Sequence, residues 1–200
     1  MAFKDKFGVE FSNLLVRCPK DFQGEYVIPD GVTEIADFAF SGCTGLTSVI
    51  IPNSVTSIGR QAFDGCSSLS SVSIPDSVTK IKIAAFSGCS ALTSVCIPDS
   101  ITSIDKHVFS NCSRITSIAL PNTIKSIGES AFLNCKSLTS LIIPDSVTKI
   151  GGYAFYGCSG LTSIIIPYSV KSLGNHAFDG CSSLTSIDMP ESLKIQCSTQ

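Results

Sequence analysis

The stretch LTSVIIPNSVTSIGRQAFDG, residues 46–65, is one complete unit of a pattern that recurs along the chain. The shorter stretch IPDSVTKI shows the recurrence directly, because it occupies residues 74–81 and returns at residues 143–150, 69 positions later. Two residue types recur every 23 residues: the prolines Pro29, Pro52, Pro75, Pro98, Pro121, Pro144, Pro167 and Pro190, and the phenylalanines Phe40, Phe63, Phe86, Phe109, Phe132, Phe155 and Phe178. A fixed period of this length indicates stacked repeat units instead of one globular core.

The first half of each unit has the pattern of a half-buried strand. Leu46, Val49 and Ile51 have the spacing L-x-x-L-x-L, and the last two of them alternate with Ser48 and Ile50. We therefore expect Ser48 and Ile50 to face solvent. The proline that follows has no N–H to donate to a strand ladder, so it ends the strand, and the Asn-Ser or Asp-Ser pair after it favours a turn.

The second half of each unit predicts a second short strand and then one short helical turn. Val55 and Ile58 are three residues apart, which suits a short extended segment, and RQAFDG is interpreted as one helical turn anchored by Ala62 and Phe63. The residue before each repeated cysteine is always Gly or Asn: Gly42, Gly65, Gly88, Asn111, Asn134, Gly157 and Gly180. Because these residue types most readily adopt a left-handed backbone conformation, this column predicts a positive φ where each turn ends.

Each unit has one apolar side that it cannot bury alone, so neighbouring units are expected to stack with their strands in parallel register. The predicted fold is a right-handed, curved solenoid with a parallel β-ladder on one face. We predict a single domain over residues 1–200, with a cap or degenerate first repeat at 1–28, seven 23-residue repeats at 29–189, and a truncated last coil and tail at 190–200.

The repeated pattern LTSVxIPDSVTSIGxxAFxGCSS closely resembles the BspA-like class of leucine-rich repeats, and the resemblance covers nearly the whole chain. The segment GVEFSNLLVRCPKDFQGEYVIPDGV, residues 8–32, is similar to the first unit that is typical of this family. The resemblance implies a leucine-rich repeat solenoid that begins with a native cap. It also implies a surface adhesin or an interaction protein, because members of the family are regarded as such.

Seven of the ten cysteines form a column with the same period: Cys43, Cys66, Cys89, Cys112, Cys135, Cys158 and Cys181. Adjacent coils lie close enough for disulfides, but the column is odd in number and points inward beside Leu and Phe. We predict free, buried thiols that hydrogen-bond weakly to backbone carbonyls. A structural zinc ion needs four ligands that converge on one point, and a linear stack of thiols does not provide them. Cys96 differs, because it lies in the column expected to face solvent.

The two ends of the chain bear on its compartment. Lys4, Asp5, Lys6 and Glu10 interrupt the apolar run that a signal peptide requires, so we expect no export by the usual route. Cys197 stands four residues from the end, where prenylation is a hypothesis, although Thr199 is not the usual aliphatic residue. These features predict a cytoplasmic protein, attached at the inner face of the plasma membrane if Cys197 is prenylated. Export to the cell surface by a non-classical route is the alternative.

The sequence gives no indication of catalysis or of nucleic-acid binding. His107 and His176 are the only histidines, they occupy the same repeat position three coils apart, and both are interpreted as solvated surface residues. No triad, metal spacing or phosphate-binding loop accompanies them. The 14 basic and 16 acidic residues give a net charge of −2, and no segment approaches the roughly 18 apolar residues of a membrane helix. We predict no enzyme activity, no cofactor, no bound metal and no transmembrane segment.

A binding surface is the remaining functional expectation. The outer face of the main strands pairs a serine column with a variable column, and we predict a protein–protein interaction module that uses this face. The predicted partner-binding residues are Ile50, Cys96, Ile142, Ile165 and Tyr168. A scaffold face with isolated isoleucines is the simpler interpretation. The pattern is also compatible with an adhesin that binds host or matrix proteins, a membrane-recruited scaffold prenylated at Cys197, and self-association through the last coil.

Overall fold

The chain forms a stack of short parallel strands joined by turns. The computed structural model describes residues 3–4, 10–11, 14–15 and 17–193. It contains 18 strands, numbered β1 to β18 in chain order, and, within the described residues, the sole helical segment is the single turn at residues 191–193. The predicted solenoid of stacked parallel strands is confirmed.

The first ladder contains one strand from each coil and forms the face on which the binding surface was predicted. Its strands run parallel, with residues opposite those 23 positions later, as in Ser163 opposite Ser186, except at Gln23 and Gly24, where a register shift makes the separation 22. The ladder comprises β4 (Gln23–Val27), β6 (Gly45–Ile50), β8 (Ser71–Ser73), β10 (Ser94–Cys96), β12 (Ser117–Ala119), β14 (Ser140–Ile142), β16 (Ser163–Ile165) and β18 (Ser186–Asp188). The expected exposure of Ile50 is confirmed, whereas Ser48 is half-buried.

The second ladder follows the proline turn and has two residues in each strand. It comprises β3 (Leu14–Leu15), β5 (Glu34–Ile35), β7 (Ser57–Ile58), β9 (Lys80–Ile81), β11 (Ser103–Ile104), β13 (Ser126–Ile127), β15 (Lys149–Ile150) and β17 (Ser172–Leu173). Two N-terminal strands, β1 (Phe3–Lys4) and β2 (Glu10–Phe11), extend this ladder in antiparallel fashion beyond β3. The second short strand predicted after the proline is therefore present in each coil.

The segment predicted to be one helical turn is instead a run of overlapping turns. In the first coil the amides of Ala39, Ser41 and Cys43 bond to carbonyls three residues back, while the alternate amides of Phe38, Phe40 and Gly42 bond to the next coil. The predicted positive φ at Gly42 and its counterparts is confirmed. A second left-handed column has no glycine: Phe38, Gln61, Ala84, His107, Ser130, Tyr153 and His176. From Phe38 to Tyr153, the amides of these residues donate to carbonyls of the next coil, and these hydrogen bonds hold a conformation that costs roughly 1–2 kcal/mol for each residue.

The core lies between the two ladders and the turns, and a file of phenylalanine rings runs through it. Phe40, Phe63, Phe86, Phe109, Phe132 and Phe155 are all fully buried. Consecutive rings in this file are nearly parallel, with centroid separations between 4.9 and 5.7 Å. Leu, Val, Ile and Cys side chains of the same coils complete the core. Each coil therefore buries its apolar residues against the equivalent residues of its two neighbours.

A column of small residues after the second strand sets how closely the coils can stack. Gly59, Gly128, Gly151 and Gly174 occupy it, and a Cβ at Gly59 would lie 2.5 Å from backbone atoms of the preceding coil. Their φ angles are ordinary, so space and not conformation requires glycine here. Lys82 and Asp105 occupy the same column in two neighbouring coils. Within the described residues, both ladders are interrupted between these two coils, because β8 does not pair with β10 nor β9 with β11, and the first ladder is interrupted again between β12 and β14.

Replacing Gly128 by alanine is expected to destabilise the fold by about 1–3 kcal/mol, because the new methyl group would overpack a rigid contact. The added Cβ would lie 2.7 Å from the carbonyl carbon of Asp105 and from the amide nitrogen of Lys106. Chemical denaturation measures the change. Lys82→Ala is the matched control in the same column and should change stability by less than about 0.5 kcal/mol. Equal effects of the two replacements would contradict the steric explanation.

Candidate functional site

The outer face of the first ladder presents two columns of side chains. The inward residue of each strand, such as Val49 or Ile164, is buried, whereas the residues on either side of it point away from the core. The first outward column is Glu25 in β4 and serine in every later coil: Ser48, Ser71, Ser94, Ser117, Ser140, Ser163 and Ser186. The second varies: Val27, Ile50, Ser73, Cys96, Ala119, Ile142, Ile165 and Asp188. The small serines leave the variable column accessible along its length.

Three of the five predicted partner-binding residues come together at the C-terminal end of this face. Ile142 and Ile165 are opposite one another in β14 and β16, and they are 86% and 66% exposed. Tyr168 is 84% exposed and lines the same groove, whose volume is about 670 Å³. Because these three large side chains are so exposed, the groove has an apolar surface that is in contact with solvent.

Tyr168 departs from the repeat in a way that the fold does not require. The equivalent position after the proline is acidic or Asn in the preceding coils: Asp30, Asn53, Asp76, Asp99, Asn122 and Asp145. The next residue is also unusual, because Ser146 Oγ donates to the Ile124 carbonyl at 2.6 Å, whereas the buried Ser169 Oγ has no hydrogen-bond partner within the described structure. Both departures lie in the groove.

Two carboxylates border the apolar surface of the groove. Asp188 follows Ile165 in the variable column, Asp145 stands in the coil before Tyr168, and both side chains are exposed. The nearest lysine on this turn, Lys171, donates from Nζ to the Tyr168 carbonyl at 3.1 Å. The groove therefore combines apolar side chains with acidic ends, which suits an apolar segment that carries a basic residue.

The other two predicted residues lie elsewhere on the ladder. Ile50 is 48% exposed beside Val27, in the first coils, and Cys96 is exposed next to Ala119 in the middle of the face. The structure does not bring either residue to the groove. Sequence reasoning also missed Asp145, Asp188 and Ser169, although the break in the Asp/Asn column at Tyr168 was a signal that pointed to this coil.

The column of cysteines is buried and reduced, as predicted. No disulfide joins any of the nine cysteines in the described part of the chain. From Cys66 onward, each column thiol donates to a phenylalanine carbonyl of the preceding coil, at 3.1 Å for Cys66 to Phe40 and 3.2 Å for Cys89 to Phe63. Burial raises the pKa of Cys66, Cys112 and Cys158 to about 12. These thiols therefore act as small core residues that stay protonated at neutral pH.

The two histidines lie on the turn edge, where the second left-handed column projects. His176 Nδ1 is 2.7 Å from Asp179 Oδ2, and its ring stacks on Tyr153 with a centroid distance of 5.0 Å. The side chains of both His176 and Asp179 are about half exposed.

The described residues contain no group of three or more His, Cys, Asp or Glu side chains that could hold a metal ion. Nor does the described part contain a helix long and apolar enough to span a membrane.

Two predictions concern the C-terminal end of the chain, most of which lies outside the described residues. Cys197, the candidate prenylation site, lies outside the described residues. Self-association through the last coil would involve residues 190–200, of which 194–200 are likewise not described. Prenylation and self-association therefore stay predictions.

Comparison with solved structures gives several bacterial leucine-rich repeat proteins. A leucine-rich repeat protein from Eubacterium ventriosum is 27% identical with a TM-score of 0.85, over 95% of this chain and 51% of that one. A leucine rich cell surface protein from Faecalibacterium prausnitzii is 30% identical with a TM-score of 0.63, over 89% of this chain and 63% of that one. The leucine rich repeat protein of T. pallidum is 30% identical with a TM-score of 0.63, over 96% and 80%. This chain thus spans one half to two thirds of the first two proteins.

Sequence comparison identifies the family directly. A search of curated proteins gives no match, but a scan against models of protein families does. The model of the BspA type leucine rich repeat region matches this chain in six copies, over residues 22–137 and 102–198. Because these matches cover most of the sequence and the coils stack as such repeats do, the chain belongs to the family of proteins with BspA-type leucine-rich repeats.

Proposed function

We propose that this protein is a non-enzymatic protein–protein interaction module whose main contact is the groove formed by Ile142, Ile165 and Tyr168. One observation carries the proposal: three large apolar side chains, each at least 66% exposed, line a single groove. Leucine-rich repeat solenoids are generally structural or interaction proteins, which is consistent with this role.

The chemistry of the groove selects the kind of partner. Its occupant is a segment of another protein with two or more apolar side chains and a basic residue. The apolar side chains would cover Ile142, Ile165 and Tyr168, and the basic residue would meet Asp145 or Asp188. Tyrosine is well suited to such a contact, because it offers a large ring that has few rotatable bonds.

A library of random twelve-residue peptides displayed on phage tests this proposal. Selection on the folded protein is expected to enrich peptides with aliphatic or aromatic residues and at least one Lys or Arg. The double variant Ile142→Asp/Ile165→Asp should bind the enriched peptides at least about tenfold more weakly, because it places charges in the apolar contact. Tyr168→Asp should weaken binding as well, and it restores the residue type of the preceding coil.

Ile50→Asp is the matched control, because Ile50 occupies the same column outside the groove. Circular dichroism and thermal unfolding establish that each variant is folded. Enriched peptides that bind the double variant as tightly as the parent protein would refute the groove proposal. Tight binding that is lost in Ile50→Asp alone would place the contact elsewhere on the ladder.

A second candidate is a cell-surface adhesin that binds host or matrix proteins. The 30% identical protein from F. prausnitzii is described as a leucine rich cell surface protein, which is the observation that favours this candidate. The two candidates differ in compartment: the interaction module is proposed to be cytoplasmic, at the membrane if Cys197 is prenylated, and the adhesin to be exported. Labelling the surface of intact cells with a membrane-impermeant reagent distinguishes between them.

A further inference from the structure

The step from the third coil (β8 and β9) to the fourth (β10 and β11) lacks the backbone hydrogen bonds that join the other coils along the second ladder. At the next step, the Lys125 amide donates to the Thr102 carbonyl and the Gly128 amide to the Ile104 carbonyl, both at 2.8 Å. Within the described residues, the equivalent amides of Thr102 and Asp105 make no such bond to the third coil, and β9 does not pair with β11. The second ladder is therefore open between these two coils.

The turn edge of the same step is closed. The Ala84 amide donates to the Lys106 carbonyl at 2.9 Å, and the Gly88 amide donates to the Ser110 carbonyl at 2.7 Å. These bonds follow the pattern of the other steps along this edge. One edge of the step is therefore held by backbone hydrogen bonds and the opposite edge is not, which is the geometry of a hinge with its axis at the turn edge.

Away from the turn edge, two polar contacts cross the step in the described structure. Ser100 Oγ donates to the Val78 carbonyl at 2.6 Å near the proline turn, and the Thr93 amide lies 3.4 Å from the Ser70 carbonyl. The amide of Thr116, the equivalent residue one coil later, donates at the shorter distance of 3.0 Å. Opening of the hinge is therefore opposed by one short side-chain hydrogen bond, one long backbone contact and the apolar packing of the core.

The residue types in the column after the second strand distinguish this step from the others. The column contains Ala36, Gly59, Lys82, Asp105, Gly128, Gly151 and Gly174. Every other neighbouring pair in this series includes at least one glycine, whereas Lys82 and Asp105 both carry a long or charged side chain. Lys82 follows a glycine, and its amide still donates to the Ile58 carbonyl at 3.0 Å. One larger residue is therefore compatible with a closed ladder, and the ladder opens where two follow each other.

We propose that this step is a hinge, at which the three N-terminal coils rotate about the turn edge relative to the coils that follow. Each coil of a solenoid contacts only its neighbours, so a weakly joined step lets the parts on either side move as separate units. Rotation widens the open second ladder and changes the curvature of the outer face of the first ladder. The groove formed by Ile142, Ile165 and Tyr168 lies wholly on the C-terminal side, so the hinge does not depend on the proposed function.

Distances between two pairs of spin labels test the hinge. Labels at Glu34→Cys and Ser172→Cys span six coil steps along the second ladder, and labels at Phe38→Cys and His176→Cys span the same six steps along the turn edge. All four residues are exposed, and six steps correspond to about 29 Å along the stack. We expect the distance distribution of the second-ladder pair to be at least about twice as wide as that of the turn-edge pair.

The labelled proteins also carry Cys96→Ser and Cys197→Ser. The native thiols that remain are all buried, and a mass increase of two labels per folded chain establishes that they have not reacted.

Two glycine variants are expected to close the hinge. Lys82→Gly and Asp105→Gly each return a glycine to the step, and each recreates a combination that occurs at a closed step of this chain. Either variant should narrow the second-ladder distribution to the width of the turn-edge distribution. It should also slow hydrogen exchange of the Thr102 amide by at least about tenfold, because this amide gains a carbonyl partner.

Hydrogen exchange followed by NMR provides an independent measurement on the unlabelled parent protein. The Thr102 amide should exchange faster than the Lys125 amide, which is its equivalent at a closed step. Equal exchange of these two amides, equal widths of the two label distributions, or a second-ladder distribution that stays broad in the glycine variants would each overturn the proposal. If one glycine variant does not fold, the other still provides the comparison.

Discussion

Replacing Phe109 by alanine is expected to lower the free energy of unfolding by about 3–5 kcal/mol, which is the usual range for a fully buried aromatic residue. The Phe109 ring lies 5.7 Å from both Phe86 and Phe132, at interplanar angles of 7° and 10°. Its removal leaves a cavity between two coil interfaces at once. Because each coil is stabilised mainly by its neighbours, loss of the central ring should weaken both halves of the stack. Denaturant unfolding, followed by circular dichroism, measures the change.

Phe38→Ala is the matched control for this prediction. Phe38 is the same residue type but is 49% exposed on the turn edge, and it contributes little to the core. Its replacement should change the free energy of unfolding by less than about 1 kcal/mol. A Phe109 variant no less stable than the Phe38 variant would show that the stacked rings are not a main source of stability.

Raising the pH above 9 is expected to destabilise the protein by several kcal/mol through the buried thiols. The pKa of Cys66, Cys112 and Cys158 is about 12 in the folded protein, against an ordinary value of 9.0. The folded state therefore holds these protons more tightly than the unfolded state. Their contribution is fully present below pH 9 and is lost as the pH rises from 9 to 12. At pH 10 the loss is about 1.4 kcal/mol for each of the three thiols.

A serine replacement separates this effect from other groups that titrate at high pH. In Cys112→Ser, the hydroxyl can donate to the Phe86 carbonyl as the thiol does at 3.1 Å, but it does not ionise in this range. The variant should lose about 1.4 kcal/mol less than the parent protein between pH 8 and pH 10, as measured by urea unfolding at each pH. Parallel pH dependence of the variant and the parent would contradict the buried-thiol explanation.

The stabilising residues and the candidate binding residues occupy different columns of the same repeat. The phenylalanines, cysteines and inward strand residues are buried in nearly every coil, and their types hardly change along the chain. Ile142, Ile165 and Tyr168 are outside this core, where a change of residue alters no packing. The fold therefore permits a partner-binding groove at one end of the stack without a compensating change in stability.

The features that every coil must repeat could be predicted from the amino-acid sequence alone. The 23-residue columns predicted the stacked parallel strands, the buried free cysteines and the left-handed Gly or Asn before each cysteine. These predictions were correct because each depends on one local requirement, such as a strand that ends at proline or a backbone angle that few residue types adopt. The exposed positions of Ile142 and Ile165 followed from the same strand alternation, whereas Tyr168 lies after the proline turn, outside the strand.

The features that depend on contacts between neighbouring coils became visible in the three-dimensional structure. The residues of the left-handed column that includes Ala84 and Tyr153 have a positive φ although none of them is glycine. Inter-coil hydrogen bonds impose this conformation. The interruption of the second ladder coincides with Lys82 and Asp105, which occupy the glycine column, whereas the first ladder is interrupted there and again between β12 and β14. The Cys43 thiol lies 3.4 Å from the carbonyl of Pro19, a residue outside the repeat, so this contact could not be predicted from the repeat columns. Each coil contains its own local sequence patterns, whereas the distances between coils result from the packing of all coils together.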